Sequence, residues 1–222
     1  MTTLAFDVYG TLIDTHGVID ALQEFVGPQA AAFSQTWRDK QLEYSFRRGL
    51  MQNYATFPVC TSEALDYKCA SFNATLTSEE KQKLLGVYRL LPAFPNVEPR
   101  LTELAVANHR LYAFSNGTAN AVETLLKTAG IREAFVDIVS VDELESFKPN
   151  PAVHAHFLRR AGTMSSDSWM ISGNPFDVIG AISVGMKAAW VKRSPEMIFD
   201  PWGIEPTITV ENIAELVERI TE

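Results

Sequence analysis

Residues 4–14, LAFDVYGTLID, combine a short apolar run, a carboxylate and a glycine turn. The residues around Phe6 are typical of a buried strand, and the run meets Asp7 where such a strand would end. Gly10 and Thr11 follow in a loop, because glycine supplies the backbone conformations that tight turns need. An acid at a strand end often only caps the next turn through the backbone, so Asp7 alone is a weak candidate for catalysis.

Further apolar runs predict strands that alternate with helices. The predicted strands cover residues 4–8, 111–114, 136–139, 169–172 and 188–191. Helical patterns cover residues 119–129, 151–161 and 178–184, and glycines stand where these helices would end, at Gly130, Gly162 and Gly185. This alternation predicts the α/β class, with a Rossmann-like parallel sheet and helices on both faces. The apolar run MIFDPWGIEPTITV at 197–210 is expected to cover a sheet edge.

The segment between the first two predicted strands has no comparable strand run and is typical of helices. Phe33, Trp37 and Tyr44 share one helical face, at offsets of four and seven residues. Prolines between Pro92 and Pro99 then mark the return to the sheet. We therefore predict an α/β core domain of residues 1–14 and 97–222. Residues 15–96 are predicted to form a helical cap subdomain over the strand ends, where open parallel sheets bind ligands.

Composition limits the classes of function. The chain has 222 residues, of which 46% are hydrophobic and 21% charged, as in an ordinary globular protein. A net charge of −8 disfavours nucleic acid and anionic membranes as partners, because both bind basic patches. No stretch resembles a membrane span or a signal peptide, and Cys60 and Cys69 match no metal or disulfide pattern. A cytoplasmic location with reduced thiols is expected.

Other polar residues follow the predicted strand ends. They are Ser115 and Asn116 in FSNG, Lys148 in SFKPNP, and Ser172, Asn174 and Asp177 in MISGNPFD. The carboxyl ends of parallel strands meet at one edge of a sheet, so these side chains are expected to converge on Asp7. Each is weak evidence alone: a lysine beside a proline is usually a surface residue, and the helix dipole favours an acid at a helix start.

The ordered set resembles the four-part signature of the haloacid dehalogenase superfamily: Asp7 with Gly10-Thr11, Ser115-Asn116, Lys148-Pro149, and residues 173–177. Most members are magnesium-dependent phosphatases with a second Asp two residues after the nucleophile, where this chain has Tyr9. Their fourth motif offers closely spaced acids, whereas this chain retains Asp177. Magnesium prefers several carboxylate oxygens. The resemblance is therefore to the 2-haloacid dehalogenase branch, which implies an Asp nucleophile and neither a metal nor another cofactor.

This resemblance implies hydrolysis of a short L-2-haloacid, a small anionic substrate, to the D-2-hydroxyacid through an ester on Asp7. Arg38, in the stretch WRDKQLEYSF at 37–46, is similar to the halide-binding arginine of the family. Asn116 would assist Arg38 with the departing halide, and Phe176 would form a wall beside them. Ser115 and the backbone amides near Tyr9 and Gly10 would bind the substrate carboxylate.

The same resemblance assigns supporting roles. Thr11 would hold the nucleophile in place, and Lys148 would keep it ionised, because a nearby positive charge favours the charged form of a carboxylate. Asp177 would activate or orient the hydrolytic water, and Ser172 and Asn174 would place that water.

Pocket residues and departures from the family pattern complete the set. Tyr9, Leu42 and Phe57 are candidates for an apolar pocket wall. His154 stands where the family often has a tyrosine, near the substrate site, and a histidine titrates near neutral pH. Asp39 follows Arg38 where a neutral glutamine is common, and it is expected to face solvent.

Three other functions remain open. A magnesium-dependent phosphatase of the same fold is disfavoured by Tyr9 and Asn174. Hydrolytic ring opening of a small strained cyclic amino acid would use the same attack by Asp7. A non-enzymatic binding protein is disfavoured, because a binder needs neither a nucleophile nor a water-activating acid. The resemblance also implies a homodimer joined through the cap, for which the stretch YSFRRGLM at 44–51 is a candidate contact.

Overall fold

Within residues 2–220, which the computed structural model describes, six parallel strands form the centre of the molecule. They are β1 (Thr3–Phe6), β2 (Arg110–Ser115), β3 (Asp137–Ser140), β4 (Ser168–Ser172), β5 (Lys187–Val191) and β6 (Ile208–Val210). Their spatial order is β3-β2-β1-β4-β5-β6. Phe6 of β1 pairs with Ala113 on one side and Ile171 on the other. The chain order reverses beside β1, so the end of β1 lies at the point where such sheets bind ligands.

The α-helices are α1 (Val18–Val26), α2 (Ala30–Met51), α3 (Phe57–Ser71), α4 (Ser78–Val87), α5 (Val97–Val106), α6 (Ala119–Thr128), α7 (Pro151–Ala161), α8 (Pro175–Ser183) and α9 (Ile213–Ile220). Local sequence sets several of their ends. The Asn150 side chain caps α7 by accepting from the Ala152 amide, and Pro151 fits the first turn. Gly162 ends α7 at a φ of 58°, a conformation that glycine adopts without strain.

Helices cover both faces of the sheet. Successive strand residues point to opposite faces, so Leu4 and Phe6 pack into one apolar cluster and Ala5 into another. The first cluster includes residues of α5, α6 and α9, and the second includes residues of α7 and α8. The predicted fold class is confirmed.

Helices α1 to α4 lie between β1 and α5 and are called the helical insert here. They share an apolar cluster of their own, which includes Phe33 and Trp37 as the sequence predicts. The buried face of α2 then continues through Gln41 and Ser45, while Tyr44 is half-buried. Two chain segments join the insert to the sheet and run side by side. Asp14 N donates to Pro92 O at 2.9 Å, and Phe94 N donates to Leu12 O at 2.9 Å.

Some boundaries differ from the sequence predictions. The run at 197–210 does more than cover the sheet edge, because its last three residues form β6 and pair with β5. Helix α8 begins at Pro175, three residues before the predicted start at 178, since proline is well suited to a first turn. No helix within residues 2–220 has both the length and the apolar character needed to cross a membrane.

Candidate active site

Asp7 follows the last residue of β1, and three side chains hold its carboxylate. Thr11 Oγ1 and Asn174 Nδ2 donate to Oδ2 at 2.9 and 2.8 Å, and Lys148 Nζ donates to Oδ1 at 2.8 Å. Asp7 is only 5% exposed. Buried carboxylates need such donors, and these fix the orientation of the group. Oδ1 accepts one of these bonds and Oδ2 accepts two, so Oδ1 has the greater capacity to form another bond.

The Lys148 ammonium lies between two carboxylates. Nζ donates to Asp7 Oδ1 at 2.8 Å, to Asp177 Oδ2 at 2.8 Å and to Phe114 O at 3.0 Å. These three bonds use all the hydrogens of the ammonium, whose residue is 1% exposed. Burial by itself lowers the pKa of Lys148, but Asp177 and Asp7 together outweigh burial and raise it. Lys148 is therefore a fixed positive charge at neutral pH.

Asp177 is buried in the first turn of α8. Its Oδ2 accepts from Lys148 and also from Ser172 Oγ at 3.1 Å. Its Oδ1 has no partner within residues 2–220. Burial, reinforced by the charge of Asp7, raises the pKa of Asp177 to about 6 against the opposing effect of Lys148. Asp177 thus combines a carboxyl group of raised pKa with an oxygen, Oδ1, that is available to accept a proton or a hydrogen bond.

The loops after β1 and β4 are joined by a hydrogen bond close to Asp7. Thr11 Oγ1 accepts from Gly173 N at 2.8 Å, and Ser172 Oγ accepts from Asn174 N at 3.0 Å. A Cβ atom on Gly173 would lie 2.6 Å from Gly10 O, which is closer than real contacts allow. Glycine at 173 is therefore needed for the close approach that brings Asn174 to Asp7.

Ser115 and Asn116 lie at the end of β2, as predicted. Asn116 Oδ1 accepts from the backbone N–H of Lys148 at 2.9 Å, which leaves its Nδ2 group as a donor for a ligand. Ser115 Oγ accepts from Gly117 N at 3.1 Å and can still donate its own hydrogen. The expected use of the Gly10 amide for a substrate carboxylate is wrong, because Gly10 N donates to Ile13 O at 2.9 Å.

Arg38, Phe57 and Tyr9 come together between the helical insert and the sheet. The Phe57 ring is 6.2 Å from the Tyr9 ring, and the Arg38 guanidinium carbon is 5.9 Å from the Phe57 ring centre. Burial raises the pKa of Tyr9 to about 12, and the charge of Arg38 opposes that rise. Leu42, one turn after Arg38 on α2, is half-buried against the cluster that contains Phe57. These four predicted site residues therefore share one region.

Besides the Tyr9–Phe57 pair, a second aromatic pair joins the insert to the rest of the chain, through Phe176 of α8. Its ring lies 5.1 Å from that of Phe46 on α2, at an interplanar angle of 75°. This edge-on geometry is favourable for aromatic pairs. It holds α2 against the start of α8, one residue before Asp177.

His154 differs from its predicted behaviour. It is buried in α7, 5.7 Å from the Phe114 ring, and its Nδ1 lies 3.4 Å from Asn150 O. Burial, with a contribution from the Lys148 charge, lowers the pKa of His154 to about 4. The expectation that this histidine titrates near neutral pH is therefore wrong. The centre of the Phe114 ring lies 5.7 Å from that of His154 and 5.1 Å from Lys148 Nζ, so His154 packs beside the network.

A cavity of about 490 Å³ lies between the insert and the first turns of α6. Its wall includes Tyr9, Phe57 and Tyr88, together with Gly117, which immediately follows Asn116. Tyr9 and Phe57 are shared with the region around Arg38. The cavity therefore adjoins the candidate site.

Gln41, which no sequence motif singles out, forms a hydrogen bond with Arg38. Gln41 Oε1 accepts from Arg38 Nη1 at 2.7 Å. The sequence feature that could have indicated it is a glutamine three residues after Arg38, on the helical face that also carries Phe33 and Trp37. Asp39 is exposed as expected, and its Oδ1 accepts from Gln35 Nε2 at 3.0 Å.

Arg193, beyond β5, also escaped prediction. One of its guanidinium nitrogens donates to Thr11 O, and its carbon Cζ lies 4.1 Å from the Phe94 ring centre. Burial lowers the pKa of Arg193 to about 10, against the charge of Asp14. Arg193 thus contacts both chain segments that connect the insert to the sheet.

The side chains around Asp7 do not fit a magnesium ion. A lysine ammonium bridges the two carboxylates, and the side chain two residues after Asp7 is the apolar ring of Tyr9. Within residues 2–220, no three His, Cys, Asp or Glu side chains are placed to share a metal ion. A cation at the centre of the site is supplied by the protein itself.

Comparisons with known proteins agree with the motifs. A model of the haloacid dehalogenase-like hydrolases matches residues 1–185. The (S)-2-haloacid dehalogenase of Pseudomonas putida is 32% identical over 96% of this chain and 93% of its own length. Haloacetate dehalogenase H-2 of Moraxella sp. (strain B) is 32% identical over 98% and 96% of the two chains.

A solved structure is similar throughout. It is the L-2-haloacid dehalogenase of Xanthobacter autotrophicus with chloropropionic acid covalently bound, 28% identical, with a TM-score of 0.93 over 100% of this chain and 98% of that one. The predicted resemblance is confirmed by sequence and by fold. The chain belongs to the haloacid dehalogenase-like hydrolase family.

Proposed function

We propose that this protein hydrolyses short-chain L-2-haloacids to D-2-hydroxyacids, through an ester on Asp7 and without a metal ion. The observation that carries the proposal is the buried network at the end of β1, in which Lys148 Nζ lies 2.8 Å from both Asp7 and Asp177. An ionised nucleophile and a second acid are thereby held by one fixed cation. Similarity to proteins named for this substrate class supports the same reaction.

In the first step, Asp7 attacks the carbon that bears the halogen. A bond forms between a carboxylate oxygen and that carbon, and the carbon–halogen bond breaks with its electron pair leaving on the halide. We assign the attack to Oδ1, which accepts a single hydrogen bond. Attack opposite the leaving group inverts the configuration, which converts an L-haloacid into a D-hydroxyacid.

Two groups of donors would recognise the substrate. Arg38 and the Nδ2 group of Asn116 stabilise the halide as its negative charge develops, with Phe176 beside them. The Ser115 hydroxyl and the Tyr9 backbone amide bind the substrate carboxylate. Tyr9, Leu42 and Phe57 provide apolar surface around the reacting carbon, where exclusion of water strengthens these charges.

In the second step, water attacks the ester carbonyl of Asp7. Asp177 accepts a proton from that water through Oδ1, which has no other partner within residues 2–220. Ser172 Oγ donates to Asp177 Oδ2, and Asn174 Nδ2 donates to Asp7 Oδ2, so these bonds keep the acid and the ester carboxyl group in position. Collapse of the tetrahedral intermediate breaks the acyl–oxygen bond; the leaving alkoxide takes the proton held by Asp177 to give the 2-hydroxyacid, and Asp7 loses the second proton of the water to solvent and returns to a carboxylate. The net products are hydroxyacid, halide and one proton.

We propose that residues 15–96 act as a cap over a core of residues 1–14 and 97–222. The insert has its own apolar cluster, and aromatic pairs join it to the rest of the chain. A hydrogen bond from Tyr54, just before α3, to Asp142, just after β3, adds a third contact. Separately expressed residues 15–96 that remain unfolded would contradict an independent cap subdomain.

We also propose assembly into a homodimer through the end of α2. Leu50 and Met51 are 88% and 63% exposed there, within the stretch at 44–51. Covering exposed apolar side chains of this size with a second surface lowers the free energy of the protein. Light scattering is expected to give the mass of a dimer, and Leu50→Asp that of a monomer. A monomeric parent protein would contradict the proposal.

A cytoplasmic location is proposed as well. Cys60 and Cys69 are both free and buried, which suits the reducing environment of the cytoplasm. Burial raises the pKa of Cys60 to about 11, so its reactive thiolate form is scarce at neutral pH. Fractionation of the native cells would test this location.

The reaction is tested by halide release from separate L- and D-2-chloropropionate, with a chelator present and no added metal. We expect chloride from the L form alone. Release from neither form would contradict dehalogenation, and strained cyclic amino acids and phosphate esters with magnesium would then be the next substrates. Release that requires magnesium would contradict the metal-independent mechanism.

A further inference from the structure

A buried glutamine connects Arg38 to the next helix of the insert. Gln41 is 2% exposed, and its Oε1 accepts from Arg38 Nη1 at 2.7 Å. Its Nε2 donates to Thr61 Oγ1, and the Thr61 hydroxyl donates to Phe57 O at 2.9 Å. We call this chain of bonds the Gln41 relay. It runs from Arg38 on α2 to the first turn of α3.

The position of Gln41 is unusual for a polar residue. The buried face of α2 contains Phe33, Trp37, Gln41 and Ser45, so the stripe changes from aromatic to polar beside Arg38. A buried amide is costly unless both of its ends are hydrogen-bonded. Here one end is bonded to Arg38 and the other to Thr61. A methionine of similar length would fill the same space without needing either bond.

The chemistry of the acceptor matters for Arg38. A neutral amide oxygen orients the guanidinium without cancelling its charge, whereas a carboxylate would neutralise it. The nearby acid Asp39 instead accepts from Gln35 at 3.0 Å and is exposed. The Phe57 ring lies 5.9 Å from the guanidinium carbon. Arg38 is thus held at Nη1, while the guanidinium keeps its positive charge and its other N–H groups can donate to a ligand.

We infer that Gln41 is a positioning residue for halide departure, because the relay holds the Arg38 guanidinium in the orientation that receives the leaving group. This inference rests on the proposed function. A donor stabilises a developing anion most effectively when it is already oriented, so loss of the relay would weaken stabilisation in the transition state. The effect should grow with the demand of the leaving group for stabilisation, which is greater for chloride than for bromide.

The test compares single-turnover release of chloride and bromide from the matching L-2-halopropionates, with the enzyme in excess. We expect Gln41→Met to slow chloride release by roughly ten- to a hundred-fold. Bromide release should slow less, so the bromide-to-chloride rate ratio rises. Thr61→Val removes only the far end of the relay and should raise the ratio in the same direction by a smaller factor.

Gln35→Met is a matched control. Gln35 has the same side chain and also lies three residues from Arg38, but it is exposed and donates to Asp39. Its replacement should leave the rate ratio unchanged. Folded Gln41→Met and Thr61→Val enzymes with the parent ratio would overturn the inference, as would equal slowing for both halides. If Gln41→Met does not fold, the Thr61→Val ratio decides alone.

Arg38→Met separates this inference from the proposed function. If Arg38→Met loses halide release while the relay variants keep the parent ratio, only the role of Gln41 fails. If Arg38→Met releases halide at the parent rate, the halide-binding role of Arg38 fails and the role of Gln41 fails with it. A parent enzyme that releases no halide would contradict the proposed function itself, and the inference that rests on it.

Discussion

At the scale of single residues, the site holds three charged groups that are almost completely buried. Lys148 bonds to both Asp7 and Asp177, so the trio carries one net negative charge when all three are ionised. Removing one partner of a buried pair leaves an uncompensated charge, which is far more costly than an exposed one. The excess negative charge and the burial both act on Asp177, whose pKa rises to about 6.

This pKa sets the expected pH dependence of turnover. If Asp177 is the base of the second step, it works only when ionised. In the ester intermediate Asp7 carries no charge, so the pKa of Asp177 there lies below about 6; kcat should therefore be level above pH 6 and fall as the pH drops below it. A profile of kcat from about pH 4 to about pH 9 spans that titration and measures it. A kcat that stays constant down to the acid end of this range would contradict the role of Asp177 as base.

At the scale of elements, the ends of β1, β4 and β5 meet the two segments that connect the insert. Arg193 follows β5, donates to Thr11 O and stacks over Phe94. We expect Arg193→Met to lower the free energy of unfolding by about 1–3 kcal/mol, because a buried carbonyl loses its donor and a cation–π contact is lost. Turnover should fall as well, since Thr11 also holds Asp7.

Denaturant unfolding of Arg193→Met, with Lys192→Met as the control, measures this difference. Lys192 is the adjacent residue, and its Nζ lies 5.8 Å from the Trp190 ring centre, so its replacement removes a cation–π contact but not the bond to Thr11 O. Its replacement should change stability little. Equal unfolding midpoints for the parent protein and Arg193→Met would contradict the role assigned to Arg193.

The elements also show what sequence patterns can predict. Long periodic segments such as α6 and α7 lie where the pattern placed them, because burial of one face and turn residues at the ends agree. Strand β6 has three residues and takes its place only by pairing with β5, so it was predicted as a cover and not as a strand. Local pattern does not encode such a pairing.

At the scale of the whole molecule, the topology explains which parts of the site were predictable. Parallel strands bring Asp7, Ser115 and Ser172 to one edge, so their convergence follows from the order of the motifs. Contacts across the fold were not predictable in this way. Gln41 and the low pKa of His154 depend on what packs against each side chain after folding.

The net charge of −8 also acts at this scale. It opposes the approach of an anionic substrate at long range, and salt screens that repulsion. In the proposed mechanism, binding therefore depends on local donors: Ser115 and the Tyr9 amide for the carboxylate, and Arg38 for the halide. The central claim of the mechanism is narrower: the new oxygen of the product comes from Asp7.

Isotope labelling tests that claim most directly. Excess enzyme converts L-2-chloropropionate in one turnover in water enriched in heavy oxygen, and the product is analysed by mass spectrometry. The mechanism predicts an unlabelled hydroxyl group in the product and heavy oxygen in the Asp7 carboxylate. Heavy oxygen in the hydroxyl group after that first turnover would show direct attack by water and would contradict the ester on Asp7.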